Sequence, residues 1–207
     1  MRIITGKARG KKLSAPEGLS TRPTSDRAKE AVFSVLQFSI AGRHVLDLFA
    51  GSGQMALEAL SRGAASAVAV DISDEAIAVI RKNAAASGLE DGLTAVKSDA
   101  LKWIERRKET GGEGFDIVFA DPPYRAGLLP PLLSALARSG LLNPGATVVC
   151  ESAAPEDVFG EDEKLRSEFD TVKVSKYGIA CVTWLSPAKA GGSRVPEENR
   201  KEDDKNE

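Results

Sequence analysis

Short apolar runs alternate along the chain with segments of helical spacing. Five runs are continuously apolar rather than alternating: His44 to Phe49, Ala67 to Val70, Leu93 to Val96, Phe115 to Ala120 and Ala146 to Cys150. A strand covered on both faces loses the in–out alternation of a half-exposed sheet, so these runs predict a parallel sheet. Between them lie Gln54 to Ser61, Asp74 to Ser87 (apolar Ala76, Ile77, Ile80 and Ala84), Leu101 to Lys108, and Leu128 to Arg138 (Leu129, Leu132, Leu133 and Leu136). Strand alternating with helix predicts an α/β doubly wound domain. The last two runs, Phe169 to Val174 and Ile179 to Leu185, are separated only by Ser175-Lys176-Tyr177-Gly178, which fits an antiparallel hairpin. Ahead of the sheet, the glycine-punctuated segment Ile3 to Leu13 fits a small hairpin. An amphipathic helix is expected from about Ser25 to Phe38, with Pro23 and Thr24 at its start. From Pro187 onward Val195 is the only sizeable apolar residue, too little to offset ordering entropy, so 187–207 is expected to be a disordered tail. The expected organisation is a basic extension (1–43), an α/β domain (44–186) and that tail.

The 207 residues carry 28 Lys and Arg against 30 Asp and Glu, and 42% are hydrophobic. This balance excludes a uniformly basic nucleic-acid coat and an acidic tail protein. It conceals an uneven distribution: Arg2 to Arg43 has an excess of six positive charges and Glu151 to Asp170 an excess of six negative ones. One face can therefore be positive although the whole chain is nearly neutral. Cys150 and Cys181 sit in apolar runs on what are expected to be neighbouring strands, and read as reduced core residues rather than a disulfide. No apolar run approaches the roughly 20 residues needed to span a bilayer, and the N-terminus lacks a signal-peptide core. The expectation is a cytoplasmic monomer.

Candidate chemistry begins where the first strand runs into Asp47-Leu48-Phe49-Ala50-Gly51-Ser52-Gly53, directly before a helix. Glycines at such a turn allow a tight bend and close ligand approach, and the helix start offers unpaired N–H donors. The second strand ends in Asp71, suited to ribose hydroxyls or, alternatively, to capping the helix before Glu75. After the third strand, Asp99 suits either an adenine amino group or the cap of the helix at Leu101. Gly51-Ser52-Gly53-Gln54-Met55-Ala56 also satisfies the GxGxxA dinucleotide fingerprint, so a nicotinamide-dependent oxidoreductase stays open at this point.

The fourth strand ends in Asp121-Pro122-Pro123-Tyr124. Two prolines stiffen the turn and remove two N–H groups, leaving a carboxylate followed by a fixed carbonyl acceptor. Such a pair can grip the hydrogens of an amino group. Tyr124 adds a face on which a base can stack, worth about 1 to 3 kcal/mol. These are the requirements for methylating an exocyclic amine, whose lone pair is delocalised into the ring until its hydrogens are held. His44 reads as structural, and Trp103 and Trp184 as core or helix-face residues. No His/Cys cluster has metal-ligand spacing, so no metal is implied.

With these motifs in view the chain resembles the class I S-adenosylmethionine-dependent amino methyltransferases, through DLFAGSG and DPPY. RIITGKARGKKL, RPTSDRAKEAVFSVL, MALEALSRGA and the late KYG are similar to the RsmD family, which methylates guanine N2 in 16S ribosomal RNA, at guanine 966. The resemblance covers about Arg2 to Leu185. It implies a Rossmann-like fold with a mostly parallel seven-stranded sheet ending in an antiparallel hairpin. It implies S-adenosyl-L-methionine over Ala50, Gly51, Ser52 and Gly53, with Asp47 supporting the loop, Asp71 and Ile72 at the ribose side, and Asp99 and Ala100 at the adenine. Asp121 and the Pro122 carbonyl would hold the guanine amine, with Pro123 and Tyr124 completing the catalytic turn. Arg2, Lys7, Arg9, Lys11, Lys12, Arg22 and Arg27 would meet the phosphates of 16S ribosomal RNA or the assembling small subunit. Gln54-Met55-Ala56 departs from the family's small or aliphatic residues ending in Gly. The other readings are an N-methyltransferase of another RNA or DNA base, and a non-catalytic ribosomal RNA assembly factor.

Overall fold

The computed structural model describes residues 1–16, 23–154 and 156–188. Arg22, and the expected disordered tail from residue 189 onward, lie outside the described residues. Five strands run parallel: β1 (His44–Leu48), β2 (Ser66–Asp71), β3 (Leu93–Lys97), β4 (Phe115–Ala120) and β5 (Leu142–Ala153). β6 (Phe169–Tyr177) and β7 (Ala180–Pro187) form the antiparallel hairpin. The sheet order is β3-β2-β1-β4-β5-β7-β6. The helices are α1 (Pro23–Leu36), α2 (Gln54–Ser61), α3 (Asp74–Ser87), α4 (Ala100–Thr110), α5 (Leu129–Ser139) and α6 (Glu163–Glu168).

The continuous apolar runs are explained by two cores, one on each face of the sheet. Val45, Ala69, Ile117, Phe119 and Trp184 join α1, α2 and α3 on one side. Leu46, Leu48, Val118, Val148 and Leu185 join α4, α5 and α6 on the other. Successive strand residues point to opposite faces, so a strand buried on both must be apolar throughout.

Several boundaries differ from the sequence reading. β6 continues through Tyr177, so the hairpin turns at Gly178 (φ 64°) and Ile179 rather than over Ser175–Gly178. Ser175 and Lys176 hid the strand's length because β6 is an exposed sheet edge, where polar side chains are tolerated. β7 includes Pro187, which the sequence reading assigned to the tail; it sits at the strand's end, where a missing donor is harmless. β5 starts at Leu142, four residues early, across an irregular register opposite Phe115 to Ile117. α6 was not anticipated within the acidic stretch; Asp162 caps it by accepting from Leu165 N–H at 2.9 Å. Cys150 and Cys181 are buried free thiols on adjacent strands, and burial raises the Cys150 thiol to about 12. His44 Nδ1 lies 2.8 Å from Ser66 Oγ, a structural contact.

The N-terminal segment forms a small hairpin with one antiparallel bridge, Arg2 to Lys12. Its buried Ile3, Ala8 and Leu13 join the core under α1 and α2. Polar bonds fix it along α2. Glu58, fully buried, accepts from Ile4 N–H (2.7 Å), Thr5 N–H (3.0 Å) and Arg62 Nε–H (2.7 Å). At the far end of the helix, Ser61 Oγ donates to Thr5 O (2.6 Å) and accepts from Ala8 N–H (3.0 Å).

Removing a buried carboxylate that three donors depend on leaves all three unpaired. Glu58→Ala is expected to lower the unfolding free energy by about 3 to 5 kcal/mol, measured by urea denaturation.

Candidate active site

Strand register assembles the site. Leu48 pairs with Val70 on one side and Ala120 on the other, and Ala120 pairs with Cys150. The residues that follow, Phe49, Asp71, Asp121 and Glu151, therefore stand in one row at the carboxyl side of the parallel strands, about 4.8 Å apart, with β5 alone continuing past the row to Ala153 against β7. The connections leave β1 in one direction and β4 in the other, so the crevice between them is the topological switch point where α/β sheets take ligands.

The glycine loop is strained and braced. Phe49 has φ 65° and Gly51 φ 54°. A non-glycine residue in the left-handed region stores strain that its surroundings must hold. Gly51 N–H donates to Asp71 Oδ2 (2.8 Å) and Ser73 N–H to Asp71 Oδ1 (2.9 Å). Asp71 is thus not the cap of α3; Ser73 is, accepting from Ala76 N–H at 3.3 Å. Each Asp71 oxygen keeps further acceptor capacity, because a carboxylate offers about four lone-pair positions. Asp47 is buried and accepts from Ala56 N–H (3.1 Å) in the first turn of α2. Burial, aided by the Asp71 charge and opposed by the Ala56 bond, raises its pKa to about 7. Ser52 is held from behind: its carbonyl accepts from Asn83 Nδ2–H (2.9 Å), and Asn83 also pairs with Ser14 N–H (2.8 Å) and Ser14 O (3.0 Å).

A side chain added at Gly53 would meet Ile80 at 3.1 Å, whereas one added at Gly51 would meet nothing within 4 Å. Gly53 is needed for close packing on α3, and Gly51 presents bare backbone to open space. Beside it Ile72 is 68% exposed, an apolar surface at the rim of a polar row. Bare backbone, carboxylates and an exposed apolar side chain fit a nucleoside with an apolar ring face and a charged end. Asp99 caps α4 through Lys102 N–H (3.0 Å), and buried Ala100 opens that helix.

On the β4 side, Pro122 is buried, while Asp121 and Pro123 are exposed. The Pro123 carbonyl accepts from Ala126 N–H (3.3 Å), closing the turn, and Arg125 follows Tyr124 at φ 60°. Tyr124 is half-buried, and its hydroxyl donates to Glu151 Oε1 at 2.6 Å. Asp121, Glu151, Lys29, Gln54 and Met55 line one cavity between α1, α2 and the sheet. The cavity is about 40 Å³, too small for a nucleobase, and of its lining residues Asp121 is exposed to solvent. Lys29, itself buried, donates to Arg2 O (3.0 Å) and Gln54 Oε1 (3.4 Å). This contact gives Gln54, the sequence's departure from the family pattern, a local role. Glu151 was missed in the sequence because it follows an apolar run with no motif around it; only the register beside Asp121 gives it meaning.

The basic residues are exposed but do not converge on the row. Arg2 and Lys12 lie near its glycine end, whereas Lys7 N–H bonds Ser61 O at the opposite end of α2, about 12 Å along an eight-residue helix. Arg9 and Lys11 flank that tip, and Arg27 is exposed on α1. The hairpin that carries Arg2 to Lys12 lies along α2, bonded to Glu58 and Ser61. A groove of about 720 Å³ there, lined by Thr5, Lys7, Glu30, Ser61 and Arg62, touches neither the glycine loop nor Asp121. Among the described residues no group of three or more His, Cys, Asp or Glu is arranged to hold a metal ion. No helix among them is long and apolar enough to cross a membrane.

Comparison with known proteins decides the family. The family model described as "Conserved hypothetical protein 95" matches residues 1–186. Ribosomal RNA small subunit methyltransferase D of Escherichia coli K12 is 39% identical over 153 residues, covering 73% of this chain and 74% of that protein. The chain belongs to the RsmD family. The protein of the same name from Haemophilus influenzae is 33% identical, covering 73% and 78% of the two chains. The solved structure of yhhF from Escherichia coli matches with a TM-score of 0.76 at 32% identity, covering 90% of this chain and 97% of that one. The fold is the Rossmann-like class I methyltransferase fold: a seven-stranded, mostly parallel sheet closed by an antiparallel hairpin.

A carboxyl whose native pKa is raised binds a proton that the unfolded chain releases, so its contribution to stability falls as pH rises from about 4 to about 7. Asp47→Asn is therefore expected to gain stability relative to the parent chain across that window. Urea unfolding at pH 4, 5.5 and 7 checks the slope.

Proposed function

We propose that this protein transfers the methyl group of S-adenosyl-L-methionine to the exocyclic N2 of a guanine in 16S ribosomal RNA, at the family's guanine 966, during small-subunit maturation. The observation that carries this reading is the side-by-side emergence of Phe49-Ala50-Gly51 and Asp121-Pro122 from adjacent, in-register strands. A donor lying on the glycine loop and an amine held at the β4 turn would then be neighbours. When bound, S-adenosyl-L-methionine supplies an electrophilic methyl on a sulfonium. Ala50, Gly51, Ser52 and Gly53 are the residues that would underlie it, with Asp47 bracing the loop, Asp71 and Ile72 at its ribose side, and Asp99 and Ala100 at its base.

The chain's own groups then have three tasks. Asp121 and the Pro122 carbonyl accept the two N2 hydrogens and draw the nitrogen lone pair out of the ring. Tyr124 carries the base on its face and so fixes the angle of approach; held geometry of this kind replaces association entropy. As the new C–N bond forms and the methyl's bond to sulfur breaks, leaving S-adenosylhomocysteine as a neutral thioether, N2 becomes positive and acidic, and Asp121 stabilises that charge and takes one proton, later released to water. No stronger base is required. Because N2 lies on the Watson–Crick edge, the guanine must be unpaired or turned out of its helix to reach the turn.

The exposed Arg2, Lys7, Arg9, Lys11, Lys12 and Arg27 are suited to the flanking phosphates. The relatives' name, ribosomal RNA small subunit methyltransferase, supports the same substrate.

Asp121→Ala is expected to abolish incorporation of labelled methyl into small-subunit ribosomal RNA while S-adenosylhomocysteine affinity, by titration calorimetry, stays within a few-fold; full activity in this variant would remove the assigned role. Replacing Lys7, Arg9, Lys11 and Lys12 together by Gln should weaken RNA binding and flatten the slope of log K against log salt by roughly 3, near 0.7 to 0.9 per lost phosphate contact. Detection of N2-methylguanine in ribosomal RNA from cells with this gene, and its loss without it, tests the whole reading.

A further inference from the structure

An acceptor pair that grips an amino group does not by itself select guanine, since adenine N6 and cytosine N4 present the same two hydrogens. What separates the bases is the adjacent ring nitrogen. Guanine N1, bonded to the same carbon as N2, carries a hydrogen, whereas adenine N1 and cytosine N3 are lone-pair acceptors. A carboxylate beside the amine cradle therefore accepts from guanine and repels the other two.

We propose that Glu151 is the residue that specifies guanine, by accepting the base's N1–H next to the amine held at Asp121. The inference rests on the methyltransferase reading above and deepens it. Three observations carry it. Glu151 follows Cys150, the register partner of Ala120, so it stands one strand from Asp121, held within β5 by its pairing with Val182 of β7. It lines the same cavity as Asp121. Its Oε1 accepts the Tyr124 hydroxyl at 2.6 Å, which ties its carboxylate to the residue that would carry the base. One bond from Tyr124 occupies one of roughly four lone-pair positions, so the carboxylate retains the capacity to accept from N1–H. Lys29, itself buried, lines the same cavity as the two carboxylates and brings a positive charge to it.

The test uses the full chain, labelled S-adenosyl-L-methionine and two 16S ribosomal RNA transcripts, one with guanine at position 966 and one with adenine there. Glu151→Gln keeps the shape and an oxygen for Tyr124, but adds an N–H donor that suits the lone pair of adenine. Transfer to guanine is expected to fall roughly 10- to 100-fold, the range for loss of one base-specific contact, and the guanine-to-adenine ratio of kcat/KM at least 10-fold. S-adenosylhomocysteine affinity should stay within two-fold, which reports an intact fold. A guanine-to-adenine ratio equal to that of the parent chain would overturn the assignment while leaving the methyltransferase reading in place, because a residue that only steadies Tyr124 would slow both substrates alike. If the parent chain itself places no methyl on guanine N2, the reading fails and the assignment falls with it.

Discussion

The in-register alignment of β1 with β4 is the constraint on which the site depends. Leu48 and Ala120 are neighbours in the sheet, and both are fully apolar because helices cover both faces. A slip of one residue would exchange the two cores, moving Leu46 and Leu48 into the space of Val45 and setting a carboxylate, Asp47, against the wrong helices. The hydrophobic pattern therefore does more than stabilise the domain: it fixes the height at which each strand ends. The glycine loop, Asp71, Asp121 and Glu151 stand in a row because register sets these positions level across β2, β1, β4 and β5.

Above that frame the polar groups act mainly on each other. Asp71 holds Gly51 and Ser73 by their N–H groups, and Asp47 holds the start of α2. The strained backbone at Phe49 is kept in place by these bonds and by Asn83, which bonds both Ser52 and Ser14. The basic N-terminal hairpin is thus joined to the loop proposed to carry the cofactor, through one buried side chain. Glu58 anchors the rest of that hairpin along α2. The basic hairpin and the glycine loop are two sides of one packed unit.

The β4 turn is built differently. Two prolines and the Ala126 bond set its backbone, and the Tyr124–Glu151 bond sets its aromatic ring. In the proposed reaction this rigidity would matter because the methyl group arrives already activated, so orientation of the amine is the larger part of the chemistry. A flexible loop carrying the same carboxylate would have to lose that freedom with every turnover.

The alternation of apolar runs with helical spacing was enough to read the doubly wound sheet and its terminal hairpin, since burial on both faces leaves a mark in every strand residue. Motifs with local backbone meaning were equally legible: Gly51 and Gly53 at a strand-to-helix turn, Pro122 and Pro123 in a turn without donors. Strand ends at the exposed edge were not, because β6 buries so little that its composition resembles a loop, and α6 was lost in an acidic stretch whose capping Asp162 looks like any other acid. What only the tertiary structure decided is which side chains meet. Asp71 as a brace rather than a helix cap, the Asn83 link to Ser14, the spread of the basic residues along α2 and the position of Glu151 beside Asp121 all arise from register between segments far apart in the chain. Such pairings leave no local signal, because a carboxylate at a strand end looks the same whether its neighbour across the sheet is a ligand-binding residue or solvent.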